Sequence, residues 1–413
     1  MLSNTVDKFV RAVRQQANLP AQIKLWSGEV FNLGDYDEPK IVITVCGPMA
    51  LPHLISPSLN SLGTAYIKGH IDVQGQVSDV IDFSYALSNV AQTKIREASL
   101  LVKAMCGLIR HNRKSDKQAI QYHYDVSNEF YRLWLDQNML YSCAYFENGD
   151  EDLLTAQNKK LDHILNKIKL QPGNTLLDIG CGWGALAIRA AQNYGARVTG
   201  VTLSQNQCDF ARERVHALGL DALVTIELKD YRDVLGQFDR ITSIGMFEHV
   251  GRAHLAQYFA KIRSLLTNDG LCLNHGITLT DTERAETELG SGQFISRYVF
   301  PDGELPHIGL VLQEMQNGGL ESIDVENLRR HYAHTLQRWS NNYEHNATAI
   351  RQTVDEEQFR IWRVYLAGCS YAFEHDHVAI YQVLCHKAGR SGETLDWNRR
   401  YMYPTITAGR TAA

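Results

Sequence analysis

Features of secreted, membrane-spanning and nucleic-acid-binding proteins are scarce in this sequence. Its eight cysteines include no C-x-x-C pair, which is typical of reduced thiols and argues against a disulfide framework or a metal site. No apolar run approaches the about 20 residues of a membrane-spanning helix, and the amphipathic N-terminal stretch has no signal-peptide core. The formal net charge of −5 argues against a nucleic-acid partner. These absences predict a cytoplasmic protein that meets a membrane, if at all, from one side.

The length of 413 residues and the apolar content of 44% are sufficient for at least two domains. We divide the chain into an N-terminal domain (1–110), a basic linker (111–118), a catalytic domain (119–390) and a C-terminal tail (391–413). The linker "HNRKSDKQ" is interpreted either as a solvated connector or as a patch that approaches anionic phospholipid.

The N-terminal domain is predicted to be a small α+β unit. Gly and Pro separate three strand-like segments, and the pattern of residues 77–90 predicts a helix. The strand-like segments are residues 21–26, 40–47 and 65–75.

Strands and helices alternate in the catalytic domain, from about residue 120 to residue 387. Strands separated by helices of ordinary length predict a doubly wound, Rossmann-like α/β domain, in which helices cover both faces of a parallel sheet. Residues 377–387 predict a late strand that can be antiparallel, and inserted helices are expected between 280 and 377. The other predicted strands are 174–180, 196–204, 222–230, 238–247 and 270–278.

The stretch "LLDIGCGWG" (176–184) places an aspartate two positions before the first of three alternating glycines. Such glycines let the backbone turn tightly and let a ligand lie against it. The spacing is not the G-x-G-x-x-G of dinucleotide folds. It resembles motif I of class I methyltransferases that use S-adenosylmethionine (SAM); the alternative is an ordinary strand–helix turn. The candidates for cofactor binding are Asp178, Gly180, Cys181, Gly182, Trp183 and Gly184.

Two further segments supply cofactor candidates. A generic methyltransferase has an acid for the ribose hydroxyls after its second strand, but this chain runs into "GVTLSQNQ" (200–207) without one. A segment that contacts adenine is expected after the third strand, at "KDYRD" (229–233). Taken singly, each polar residue there is equally well a capping or surface residue. The candidates are Thr202, Leu203, Ser204 and Gln207, followed by Asp230, Tyr231 and Arg232.

The chain resembles the cyclopropane fatty acid synthase family across about 118–387. This resemblance implies a seven-stranded SAM methyltransferase sheet with inserted helices. The N-terminal domain resembles only weakly the lipid-associated domain of the bacterial enzymes, with a sterol-carrier-like fold as one interpretation. The matching motifs are "QYHYDVSNEFYRLWLD", "MLYSCAYF", "LLDIGCGWG", "GVTLSQNQ", "GMFEHVG", "YVFPDGELP" and "YLAGCSYAF".

The resemblance implies a reaction on a substrate without polar groups. Members of the family transfer the methyl of SAM to the cis double bond of an unsaturated acyl chain, usually within a membrane phospholipid. Catalysis on a bare alkene depends on proximity and alignment in an apolar tunnel. Methyl addition leaves a carbocation, and ring closure requires the loss of one proton from the new methyl group. The family is understood to hold bicarbonate as this base, since a small exchangeable anion avoids alkylation of a side chain.

Residue by residue, the resemblance places the bicarbonate site at Cys143, Glu248, His275, Ile277 and Tyr332. Ile277 would contribute its backbone, His275 and Tyr332 would be donors, and Glu248 would orient the base and share its proton. The alternatives, taken singly, are a buried cysteine, a core histidine, a half-buried tyrosine and a helix-capping acid.

Other positions follow from the same resemblance. It implies that Tyr124, Tyr141 and Ser142 contact SAM and that Cys369 belongs to the active site, although packing is the alternative for Cys369. His249 is expected to be structural and to point away from Glu248 if their segment is extended. Gly276 departs from the pattern, because many bacterial synthases have a β-branched residue there. The resemblance therefore does not predict the shape of the tunnel or the preferred acyl chain.

We expect a cyclopropane synthase that acts at the inner face of a membrane, with unsaturated phospholipid acyl chains as its partner. The resemblance also allows a homodimer. The alternatives are C-methylation without ring closure, N-methylation of a small amine, and a lipid-binding protein with a degenerate methyltransferase domain. The complete glycine loop and bicarbonate site favour the first interpretation.

Overall fold

The computed structural model describes residues 2–50, 53, 58–92, 127–282, 298–299, 304–389 and 396–403. The predicted linker (111–118) and Tyr124 lie outside these residues. The chain divides into two compact units. The first unit comprises 1–110, 283–302 and 336–377, and the second unit comprises 111–282, 303–335 and 378–413.

The described elements alternate along most of the chain. The strands, in chain order, are β1 (Ala21–Lys24), β2 (Val30–Asn32), β3 (Ile41–Val45), β4 (Ile71–Gln74), β5 (Thr175–Ile179), β6 (Arg197–Thr202), β7 (Val224–Leu228), β8 (Phe238–Ile244), β9 (Leu266–Leu279), β10 (Leu320–Asn327) and β11 (Val378–Lys387). The α-helices are α1 (Leu2–Arg14), α2 (Leu59–Ile67), α3 (Val77–Gln92), α4 (Asn128–Arg132), α5 (Leu153–Lys167), α6 (Ala185–Tyr194), α7 (Gln205–Ala217), α8 (Leu255–Leu265), α9 (Ile308–Asn317), α10 (Arg329–His345), α11 (Ala347–Ile350) and α12 (Glu356–Glu374).

The first unit contains a four-stranded sheet with the order β2-β1-β3-β4, in which β1 and β3 are parallel. Alternate residues of β3 are buried, as expected for a strand with one face on a core. Helix α1 buries Val6, Val10 and Val13, whose spacing places them on one helix face. On α3, Tyr85 stacks on Tyr371 of α12, with 3.9 Å between ring centroids.

Two features of the first unit differ from the sequence-based prediction. The predicted strand at 65–75 is wrong in its first half, because α2 continues to Ile67 and Gly69 turns the chain (φ 70°) before β4 begins. The predicted helix at 77–90 is confirmed as α3. Residues 336–377 group with the first unit, although the sequence-based division assigns them to the catalytic domain.

The second unit is built on a seven-stranded sheet with the order β10-β11-β9-β8-β5-β6-β7. Five strands that are neighbours in the sheet, β9, β8, β5, β6 and β7, are parallel, whereas β11 is antiparallel to both of its neighbours. Buried clusters of apolar side chains lie against the sheet. The doubly wound α/β prediction and the antiparallel late strand are therefore confirmed. The strand order reverses at β5, and in such sheets ligands bind beside this point, outside the carboxyl ends of the strands.

Strand β10 is absent from the sequence-based prediction, and it pairs with β11 through an irregularity between Ser322 and Asp324. The described part of the predicted C-terminal tail (396–403) belongs to the second unit. Its Met402 is buried, and its Arg399 pairs with Asp324. In the part of the chain that the structure describes, no helix is both long and apolar enough to cross a membrane.

Candidate active site

The glycine loop joins β5 to α6 in left-handed backbone conformations. Gly180, Gly182 and Gly184 have φ values of 77°, 53° and 83°, which favour glycine over residues with a side chain. The N–H groups of Gly180 and Cys181 donate to the carbonyl of Val201 on β6, at 2.9 and 3.0 Å. The loop is therefore fixed at the carboxyl ends of two neighbouring strands.

A pocket opens at this edge of the sheet, and most of the predicted cofactor residues line it. An added Cβ at Gly182 would meet no atom within 4 Å, so the backbone there is uncovered. The predicted residues that line the pocket are Tyr141, Ser142, Asp178, Gly180, Cys181, Gly182, Trp183, Thr202, Leu203, Gln207 and Tyr231.

Four predicted cofactor residues do not line this pocket. Ser204 caps α7, where its hydroxyl accepts from the N–H of Gln207 at 3.3 Å. Asp230 caps the turn at 231–233 and forms an ion pair with Arg232 at 2.7 Å. Gly184 instead allows α6 to approach α7, since an added Cβ would lie 3.0 Å from Cβ of Ala211. For these positions, the capping and packing interpretations describe the observed contacts.

Asp178 is a buried carboxylate that lines the pocket. It accepts from Oγ1 of Thr242 on β8 at 2.8 Å. Burial raises the pKa of Asp178 to about 6, and the bond from Thr242 and the charge of Lys160 oppose this rise. The pocket therefore contains a negative charge at neutral pH.

Thr202 and Gln207 occupy the place where the generic acid is missing. Oγ1 of Thr202 donates to Oε1 of Gln207 at 2.9 Å and accepts from the N–H of Ser204 at 3.2 Å. These bonds fix the Gln207 amide, so the pocket has a neutral amide where other methyltransferases have a carboxylate.

Sequence reasoning missed several residues of the pocket. Lys160, Lys229 and Met246 line it, and so does His249. His249 is expected to point away from Glu248 only if their segment is extended, and this condition does not hold, because Gly245 (φ 64°) ends the strand and residues 247–249 form a 3-10 helix. A glycine directly after a strand was the available signal for this turn.

The predicted bicarbonate residues form a second group, connected by backbone contacts within the second unit. Sγ of Cys143 lies 3.9 Å from the carbonyl of Leu328. The N–H of Leu328 donates to the carbonyl of Ile380 at 2.9 Å, and Ile380 pairs with Ile277 across β11 and β9. Tyr332 lies one turn along α10 from Leu328, to whose carbonyl its N–H donates at 3.0 Å.

Glu248 joins this group through the backbone of Ile277. Oε1 of Glu248 accepts from the N–H of Ile277 at 2.7 Å. Oε2 is buried and has no hydrogen-bond partner among the described residues. Burial raises the pKa of Glu248 to about 7, although the bond from Ile277 lowers it. The carboxyl group can therefore exchange a proton near neutral pH.

His275 lies two residues before Ile277 on β9. Burial and the charge of Lys160 lower the pKa of His275 well below its ordinary value, so the imidazole is neutral at pH 7. Nδ1 lies 3.4 Å from the amide nitrogen of Gln382, and it can accept from this amide when the ring proton is on Nε2. Within the described part of the chain, the buried Nε2 has no hydrogen-bond partner.

The two predicted cysteines have different surroundings. Cys143 is fully buried, its sulfur lies 3.2 Å from the carbonyl of Ala144, and burial raises the pKa of its thiol far above the ordinary value. It is therefore a protonated thiol and a poor nucleophile. Cys369 lies half-buried on α12, in the first unit, whereas the other predicted site residues among those described belong to the second unit.

A pocket at the switch point of a doubly wound seven-stranded sheet, beside a G-x-G-x-G loop, defines a SAM-dependent methyltransferase. The pocket fits SAM, a cation at its sulfonium, because it has a buried carboxylate and an uncovered backbone. The chain belongs to the family described as mycolic acid cyclopropane synthetase, which matches residues 111–383. Residues 9–95 match a separate domain of unknown function.

Individual relatives agree with this assignment. A "probable fatty acid methyltransferase" of Pseudomonas putida is 44% identical over 94% of this chain and 98% of its own length. Cyclopropane mycolic acid synthase 1 of Mycobacterium tuberculosis is 38% identical over 65% of this chain and 96% of its own. The solved mycolic acid cyclopropane synthase CmaA1, complexed with SAH and CTAB, superposes with a TM-score of 0.63 at 36% identity, covering 68% of this chain and 99% of that chain.

Proposed function

We propose that this methyltransferase adds a methylene from SAM to the cis double bond of unsaturated acyl chains in membrane phospholipids, with bound bicarbonate as the base. The product would be a cyclopropane ring. The proposal rests on one observation above all. Two buried polar atoms, Oε2 of Glu248 and Nε2 of His275, have no hydrogen-bond partner among the described residues. Such atoms are costly unless a bound group satisfies them.

The two atoms differ in a way that suits an anion with one proton. His275 is neutral and can donate from Nε2. Glu248 can accept a proton at Oε2 and later return it, because its pKa is about 7. Bicarbonate, when bound, would supply a small base that removes one proton from the new methyl group. We assign Glu248 to the orientation of this base and His275 to donation toward it.

The remaining residues of the group have narrower roles in this proposal. The N–H of Ile277 is used by Glu248, so its backbone holds the acid in place. Cys143, as a neutral thiol, adds no competing charge beside an anion. Tyr332 is proposed as a further donor, because it lies one helical turn from the carbonyl that Cys143 approaches.

We propose that the pocket beside the glycine loop holds SAM, with Asp178 attracting its positive charge. The affinity for SAM should then fall as the pH decreases through about 6, because Asp178 becomes neutral there. We expect SAM to bind about tenfold more weakly one to two pH units below this value, because the loss of one charge interaction typically lowers an affinity by about this factor. Calorimetry across this pH range measures it. The Asp178→Asn variant should bind weakly at every pH; an equal pH dependence in that variant would exclude Asp178 as the titrating group.

The substrate would be reached from one face of a membrane. This placement is consistent with the lack of a membrane-spanning helix among the described residues. We propose that the protein associates peripherally with the cytoplasmic face. A homodimer remains a proposal from the family resemblance alone.

One alternative is favoured by a specific observation. The relative that is 44% identical over nearly the whole chain bears the name of a probable fatty acid methyltransferase, without mention of a ring. C-methylation without ring closure would use the same SAM pocket and an acyl chain. Both products require the loss of one proton, so a base in the second group of residues would serve either; we prefer the synthase because the matching family is described as a cyclopropane synthetase.

Lipid analysis tests the proposal directly. Cells that express the chain should gain the mass of one methylene per double bond in their phospholipid acyl chains. Proton NMR of the product separates the alternatives, because a methyl-branched alkene retains a vinylic proton and a cyclopropane does not. Unchanged acyl chains, with SAM binding intact, would reject both products.

A further inference from the structure

Lys160 is a fully buried lysine that the family resemblance does not assign to the site. It lies on α5, and none of its surface is exposed to solvent. Its neighbour Lys159 lies nearer the surface and pairs with Glu147 and Glu151 at 2.7 and 2.9 Å. Burial of an ammonium group costs free energy unless opposite charges or hydrogen bonds compensate it. The fold must therefore compensate Lys160 in a way that Lys159 does not require.

The protein compensates this charge only in part. Nζ of Lys160 donates to Oγ of Ser142 at 2.7 Å. Among the described residues, no carboxylate forms an ion pair with it, although Asp136 and Asp178 act on it from a greater distance. Burial lowers the pKa of Lys160 to about 8, so it still carries its charge at pH 7. Among the described residues, the bond to Ser142 uses one of the three donor positions of the ammonium group.

Lys160 lies between the cofactor pocket and the residues of the proposed anion site in the chain of contacts. Lys160 lines the pocket, and its hydrogen-bond partner Ser142 directly precedes Cys143. Its charge lowers the pKa of both His275 and the Cys143 thiol, which shows that its field reaches both residues. A small anion between those residues would lie in the same field.

The charge balance of the region requires such a cation. Glu248 and Asp178 are buried acids, His275 is neutral, and a bound bicarbonate would add a further negative charge. A desolvated anion beside a buried carboxyl group is unstable without a nearby positive charge.

We propose that Lys160 supplies the positive charge that holds the small oxyanion beside Cys143 and His275. This inference rests on the proposed function, because that function requires the anion. Lys160, hydrogen-bonded to Ser142, acts as a fixed counter-charge and does not itself take part in proton transfer. The structural alternative is that Lys160 only balances Asp136 and Asp178.

The test compares Lys160→Met with Lys159→Met, which removes the same charge from the adjacent, less buried position. Calorimetry with sodium bicarbonate, on protein saturated with SAH, measures the anion affinity without turnover. We expect Lys160→Met to weaken bicarbonate binding by about tenfold or more, the loss typical of a hydrogen-bonded charge. Because Lys160 also lines the cofactor pocket, the affinity of this variant for SAM is measured as well, and the loss there should be smaller than the loss for bicarbonate. Lys159→Met should match the wild type in both measurements.

A second variant covers the case in which Lys160→Met does not fold. Lys160→Gln keeps a polar group, one bond short of the position of Nζ, but carries no charge, and the same loss of bicarbonate affinity is expected. Unchanged bicarbonate binding in either folded variant would overturn the inference, as would a loss confined to SAM. If the wild type itself does not bind bicarbonate while it still binds SAM, the proposed base fails, and this inference fails with it. The two failures are therefore distinguished by the wild type.

Discussion

Replacement of Glu248 by glutamine should remove most turnover, by a factor of about a hundred or more, and leave SAM binding unchanged. Glutamine can still accept from the N–H of Ile277 through its carbonyl oxygen, so the local backbone should be retained. It cannot take up or return a proton at the position of Oε2, which is the role proposed for the acid. Single-turnover rates and calorimetry with SAM measure the two effects separately.

The same substitution should make the fold more stable above neutral pH. Burial raises the pKa of Glu248 from the ordinary 4.5 to about 7, so folding opposes its ionisation. The contribution of Glu248 to the free energy of unfolding is complete below its ordinary pKa of 4.5, and it is lost as the pH rises through its pKa in the folded protein. At about pH 8, Glu248→Gln should raise the free energy of unfolding by about 1–3 kcal/mol. Denaturant unfolding of the variant and of the exposed control Glu213→Gln checks this.

The pH profile provides the outcome that contradicts the role of Glu248. If its ionised form accepts the proton, the wild-type rate should rise with pH through about 7, and this limb should be missing from the residual rate of Glu248→Gln. Full turnover in the variant, or an unchanged limb, would remove Glu248 from the mechanism.

The second large effect is expected at Gly276, between His275 and Ile277 on β9. The ring of Phe247 occupies the place of a side chain at this glycine: an added Cβ would lie 2.1 Å from Cε1 and 2.5 Å from Cζ. Phe247 is buried in the core, so the ring has no free space to enter. Gly276→Ala should lower the free energy of unfolding by about 1–3 kcal/mol through overpacking. Displacement of Phe247 also shifts its neighbour Glu248, so turnover should fall as well.

A double-mutant cycle separates this clash from other effects of the new methyl group. Phe247→Leu replaces the ring with a smaller side chain. The double variant with Gly276→Ala should be less destabilised than the sum of the two single variants, by about 0.5–3 kcal/mol. Gly368→Ala on α12 is the control, since an added Cβ there meets nothing within 4 Å. Strict additivity of Gly276→Ala and Phe247→Leu would show that the ring is not the obstacle.

The sequence predicts the parts of the fold where local pattern and tertiary position agree. The apolar segments of β5, β6 and β8 and the glycine loop have the patterns typical of a doubly wound sheet, and the structure confirms them. Strand β10 has the opposite pattern: Val325 is exposed, whereas Asp324 is buried and pairs with Lys167. Its acids are stabilised by lysine and histidine side chains that are distant in sequence, so no local signal marks the strand.

The site shows the same limit. The family resemblance predicts five residues of the second group, and backbone contacts connect them in the structure. Lys160 has no sequence signal: "KK" on a helix predicts two solvated lysines, and only the tertiary fold distinguishes the buried Lys160 from Lys159. The orientation of His249 depends on whether the chain turns at Gly245, and the glycine directly after the strand is a local signal for that turn.

The sealed thiol of Cys143 has a further, practical consequence. Alkylating reagents react with the thiolate. Burial raises the pKa of the Cys143 thiol, so that little thiolate forms, and it also excludes the reagent from the sulfur. The rate at which Cys143 is labelled therefore reports how often the surrounding segments open, as amide hydrogen exchange reports local unfolding. This cysteine is a native reporter of local opening in the second unit, and it requires no engineered label.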